Sequence, residues 1–147
     1  TAVIILSLVP LVGYGGQMAR QYKAGLTVMN VCETATDSSQ GRCQIEDRLR
    51  GEYGDRLQGI EKCGFSGCFG RPAMEILNMA KQLGSDLIIM AHHSKADDPE
   101  EAFLGSTVVQ VSVNAPCPTM SVNRHFDLRC GLMYDQTGQA VQVAATV

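Results

Sequence analysis

The residues best suited to chemistry form a polar set in the second half of the chain: His92-His93-Ser94, and then Gly105-Ser106-Thr107. Gly105-Ser106-Thr107 combines bare backbone N–H groups with two hydroxyls at an expected helix start, which is where phosphates bind. A Gly-Ser pair alone is more often an ordinary helix cap. Its place after the apolar run Leu87-Ile88-Ile89-Met90-Ala91 raises it to a candidate site. The two histidines are adjacent, so their rings point apart; solvent-facing loop residues are expected rather than metal ligands, and no metal is expected. Gly13, Gly15 and Gly16 follow an apolar segment but lack the third glycine and the distant acid of a dinucleotide loop. Cys63 and Cys68 are close enough for a strained disulfide, although two small core or edge residues are expected. The acidic run from Asp97 to Glu101 reads as a solvated loop that repels a nearby triphosphate. No nucleophile has a base beside it in sequence and no paired acids occur, which favours binding or regulation over catalysis.

These groups need a scaffold, and 147 residues with 45% hydrophobic content suffice for one domain with a core of its own. A net charge of -3 gives no electrostatic reason to approach nucleic acid or an anionic membrane, and neither is expected as a partner. Six scattered cysteines without a C-x-x-C pair, in a chain that needs no disulfide framework, read as reduced thiols of a cytoplasmic protein. Ala2 to Val12 is almost continuously apolar but lacks a preceding Lys or Arg, and it is shorter than the roughly 20 residues that span a bilayer. A buried first strand is the expectation.

Val3 to Val9 is read as that strand, ended by Pro10, with a turn at Gly13-Tyr14-Gly15-Gly16 and a short helix from Gln17 to Lys23 stopped by Gly25. Leu26 to Val31 is the second strand, and Glu33 to Arg42 an exposed loop. Ile45, Leu49, Tyr53, Leu57 and Ile60 then recur at helical spacing. Phe65 to Phe69 is a strand weakened by Gly67. Pro72 opens the clearest helix, with Ala73, Ile76, Leu77, Ala80 and Leu83 on one stripe and Gly84 as terminator. Val109, Val111 and Val113 alternate like a strand, while Val108, Val111 and Ala115 keep helical spacing. A helix is expected, because a crossover between parallel strands needs one. The fold class is therefore α/β, an open and mainly parallel sheet with helices on both faces. Residues 1–125 form the α/β domain. Residues 126–147 form a C-terminal extension, read as a β-hairpin from Leu128 to Tyr134 and Ala140 to Val147.

Met90, the residues after it, Gly105-Ser106 and the strand led by Pro116-Cys117-Pro118 resemble the universal stress protein family, whose signature reads Met-Gly-x-x-Gly, about nine residues, then Gly-Ser or Gly-Thr. Gly70-Arg71-Pro72-Ala73 is similar to the Gly-Asp-Pro-Ala turn of that family. The resemblance covers residues 3 to about 124. It implies strand order 3-2-1-4-5 and a ligand site beyond the strand ends, occupied in some family members by ATP or AMP. On this chain the implied nucleotide-binding residues are Val31, Met90, Ala91, Ser94, Gly105, Ser106 and Thr107. The chain departs from the pattern in three ways: no acid occurs between Thr1 and Asn30, Ala91 and Ser94 stand where glycines are found, and ten residues separate Ser94 from Gly105. Weak or lost nucleotide binding is expected. The resemblance also implies a homodimer through Thr119 to Asn123, with the C-terminal tail a possible second contact. The alternative is a slow ATPase of the related adenine-binding fold.

Overall fold

Each strand of the main sheet lies parallel to its neighbours, an arrangement that is stable only when both faces are covered. The computed structural model describes residues 2–6, 9–33, 38–92, 106–123, 132–134 and 140–142. Strands β1 (Ala2–Leu6), β2 (Gly25–Cys32), β3 (Cys63–Phe69), β4 (Leu87–His92) and β5 (Thr119–Asn123) join in the order β3-β2-β1-β4-β5. Helices α1 (Val9–Tyr22), α2 (Ser39–Tyr53, continued by a 3₁₀ turn over Gly54–Leu57), α3 (Pro72–Leu83) and α4 (Ser106–Asn114) connect them. No described helix is long and apolar enough to cross a membrane.

The apolar runs make sense as two-faced strands. Along β4, Ile88 and Met90 turn to one side, where they pack with Ala73, Ile76 and Ala80 of α3 and Val108 and Val111 of α4. Ile89 turns to the other, among Leu11 and Val12 of α1 and Ile45, Leu49 and Tyr53 of α2. All three β4 side chains are fully buried. The valines of α4 resolve in the same way. Val108 and Val111 are buried while Val109 and Val113 are exposed, which a helix allows and a strand with 109, 111 and 113 on one face does not.

Several boundaries differ from the sequence reading. Pro10 does not end a strand; it sits in the first turn of α1, where its missing N–H is not needed, and Gly13 to Gly16 lie within that helix instead of forming a turn. Gly16 serves close packing, since a Cβ there would lie 2.9 Å from Leu57 Cδ2. The helix ends at Tyr22 with Lys23 at φ 50, and Gly25 already belongs to β2. The expected loop from Glu33 to Arg42 is partly helix: the Gly41 N–H donates to Ser38 Oγ at 3.0 Å, capping α2. Leu83, assigned to the buried stripe of α3, is 43% exposed. Gly84, at φ 57, terminates that helix in the left-handed conformation as expected. At the C-terminus, Leu132–Tyr134 (β6) and Ala140–Gln142 (β7) pair antiparallel. The rest of the expected hairpin, and the division at residue 125, lie outside the described residues.

Gly67 is where a small residue matters most to the sheet. A Cβ there would stand 2.8 Å from the Arg42 carbonyl oxygen and 2.8 Å from Ile45 Cβ, so α2 approaches β3 only over bare backbone. Gly67→Val is expected to destabilise the fold by about 2 kcal/mol or more through overpacking. Gly51→Ala, with nothing within 4 Å of the added methyl, should instead stabilise it by up to about 1 kcal/mol. Urea unfolding midpoints measure both.

Candidate functional site

In a parallel sheet all carboxyl ends point one way, and the helices that follow begin at that same edge. Here the backbone N–H of Gly70, just after β3, donates to the carbonyl of Cys32 at the end of β2, at 3.1 Å. That bond holds two strand ends together, so the next residues, Glu33 and Arg71, rise side by side. Gly70 adopts φ 137, a conformation open to glycine, which turns the chain sharply into α3. Pro72 then keeps Arg71 extended, at φ -79 and ψ 120, as the N-cap of α3.

The result is a cleft of about 430 Å³ lined by Glu33, Gly70, Arg71, Pro72, Ala73, Thr107 and Gln110. Its walls are the ends of β2 and β3 and the first turns of α3 and α4. Thr107 and Gln110 stand one helical turn apart on α4 and so face the same space. Arg71 offers a forked guanidinium, Thr107 a hydroxyl, Gln110 an amide that donates and accepts, and Glu33 a carboxylate. Together they suit a small ligand with an anionic group and hydroxyls or amines, and the volume is within the usual range of about 300–1,000 Å³ for such sites.

The residues expected at the site divide. Thr107 lines the cleft. Ser106 is the first residue of α4. Val31 is half-buried and packed against the cluster beneath. Met90 is fully buried in that cluster, so its side chain supports the floor and meets no solvent. Ala91 points to the opposite face, against the cluster of α1 and α2. Ser94 and Gly105 lie outside the described residues. Sequence reasoning missed Glu33, Arg71 and Gln110 as site residues. Arg71 carried a visible signal, a basic residue in the turn that opens α3. Glu33 carried a weaker one, as the first charge after β2.

The thiols stand apart from this chemistry. Burial pushes up the Cys63, Cys68 and Cys117 thiols, with Asp86 adding to the shift at Cys117 and the Ser66 hydroxyl opposing it at Cys68. They are protonated near neutral pH and poor nucleophiles. Cys63 and Cys68 are both free. Among the described residues no group of three His, Cys, Asp or Glu could hold a metal ion. A second cleft of about 420 Å³ opens at the opposite end of the sheet, beside Arg20, Lys23 and Lys62. There the Arg20 guanidinium is already engaged by the carbonyls of Arg56 and Gln58.

The model of the universal stress protein family matches residues 7–123. Universal stress protein UspA from Lactobacillus plantarum superposes with a TM-score of 0.62 at 18% identity, over 83% of this chain and 97% of its own. A universal stress protein in complex with cAMP gives 0.64 at 17% identity, over 84% and 97%. A family protein from Arabidopsis thaliana with AMP bound gives 0.54 at 14%, over 85% and 92%. No curated protein sequence matches the chain significantly.

The turn at Gly70 is the part of the cleft most exposed to a single change. Gly70→Ala forces a side chain onto φ 137 and brings its Cβ within 3.2 Å of Glu75 Oε1. A loss of about 1–3 kcal/mol in urea unfolding is expected.

Proposed function

The chain belongs to the universal stress protein family, and from that premise we propose that it is a regulatory binding module whose carboxyl-end cleft takes an adenine nucleotide such as AMP, holds ATP weakly or not at all, and works as a homodimer. The observation that carries the reading is the convergence of Arg71, Thr107 and the first turns of α3 and α4 on one cleft beyond parallel strands. Two of the structural relatives named above hold cAMP and AMP. Thr107 lines the space, and Ser106 and Thr107 open α4, whose first-turn N–H groups are where an anion would rest. Ala91 and Ser94 keep side chains where a close phosphate contact needs bare backbone, and no acid before Asn30 is available to read a base. The cytoplasm is the setting that the scattered thiols suit.

The dimer reading rests on β5. It pairs with β4 on one side and, among the described residues, with nothing on the other. Its residues are uncharged, so no Lys or Pro blocks pairing with a second copy. On α4, whose Ser112 hydroxyl is 3.3 Å from Thr119 Oγ1 of β5, Val109 and Val113 are 45% and 77% exposed. A two-fold contact through this edge would cover them, and the chain after Asn123 begins at the same place.

Two measurements test these readings. Losing phosphate contacts of about 3 kcal/mol moves a micromolar site about a hundredfold weaker. Calorimetry on the full chain should therefore give ATP a dissociation constant well above micromolar, and micromolar ATP binding would overturn the expectation. Sedimentation of the intact chain at micromolar concentration should show a dimer. Truncation after Arg124 should weaken it, and Val122→Pro, which removes an N–H and distorts the edge, should abolish it. A monomer under these conditions contradicts the assembly.

A further inference from the structure

Glu33 is the residue immediately after β2, and it brings a carboxylate to the lining of the cleft. The Gly70 N–H bond to the Cys32 carbonyl fixes the backbone just before it, while the side chain itself is exposed. Thr107 reaches the same lining from another wall, the first turn of α4. An ionised carboxylate only accepts hydrogen bonds, whereas the N–H groups of a helix start only donate. The cleft therefore offers donors on its α4 wall and an acceptor at the end of β2.

We infer that Glu33 accepts hydrogen bonds from the ribose hydroxyls of a nucleotide whose phosphate rests on the first turn of α4, and that it thereby selects ribonucleotides over 2′-deoxyribonucleotides. The inference rests on the reading that the cleft takes a nucleotide, and adds the residue that recognises its sugar. A 5′-nucleotide carries acceptor oxygens on its phosphate and, joined through a single CH₂ group, a ribose ring with adjacent O–H donors. That order matches the two walls. It also keeps like charges apart, because the neutral sugar, and not the phosphate, meets the carboxylate. O–H···O⁻ bonds of this kind are stronger than bonds between neutral groups. In dinucleotide-binding α/β folds an acidic side chain holds the ribose 2′-hydroxyl in the same way. Because Glu33 is exposed, water can take the place of a missing hydroxyl, so the discrimination is about tenfold and not the far larger ratio of an enclosed site.

The test is calorimetric titration of the full chain with AMP and with 2′-deoxy-AMP, which differ by one hydroxyl. The wild type should bind AMP about tenfold more tightly. Glu33→Ala should bring the ratio of the two affinities close to one, and Glu33→Gln, which keeps a neutral acceptor, should leave it in between. Loss of the negative charge acts on both phosphates alike, so the ratio separates the hydroxyl contact from charge. Circular dichroism and the urea midpoint confirm that both variants are folded. A wild-type ratio near one, or a ratio that either variant leaves unchanged, overturns the inference while nucleotide binding by the cleft stands. If neither ligand binds at millimolar concentration, the inference and the functional reading fall together.

Discussion

The structure depends on burying β4 on both faces. Ile88 and Met90 on one side and Ile89 on the other have no exposure at all, so one layer of helices cannot satisfy the strand. Helices α3 and α4 must cover one face and α1 and α2 the other. Parallel pairing follows from the crossovers this demands, and with it the gathering of every strand's carboxyl end at one edge. The cleft is a by-product of that arrangement. It forms where β2 and β3 end and two helices begin, and the Gly70 to Cys32 hydrogen bond ties together the two strand ends on one side of it.

What such a cleft can bind is then set by a few side chains that the core does not constrain. Ala73 and the buried Met90 below it are occupied with packing. Glu33, Arg71 and Gln110 are exposed and free to vary without cost to the core. A family that shares this fold can therefore differ in its ligands, because the scaffold and the selecting residues answer to different pressures.

The legible parts of the sequence were those whose pattern and physics agree. The run from Leu87 to Ala91 reads as a strand buried on both faces, and the stripe from Ala73 to Ala80 between Pro72 and Gly84 reads as a helix, because burial, capping and propensity coincide there. Pro10 and Gly13 to Gly16 misled, since proline and glycine mark turns by local chemistry, whereas here proline opens a helix and Gly16 lets Leu57 approach. Ser38 was a cap hidden in a polar stretch. The valines of α4 satisfied two periods at once, and only the burial of Val108 together with Val111 separates them. At the site, Thr107 was recognisable beside Gly105 and Ser106. Glu33 and Arg71 were not, because they meet only through the register of β2 and β3, which no local pattern encodes.

The central claim is that the ligand site lies at the carboxyl edge of the sheet. It is tested most directly by following backbone amide resonances of the isotopically labelled full chain during titration with AMP. The account predicts that the largest shifts fall on Glu33, Gly70, Arg71, Thr107 and Gln110. Shifts concentrated at the opposite end, around Arg20, Lys23 and Lys62, or no shifts at all at saturating AMP, would contradict it.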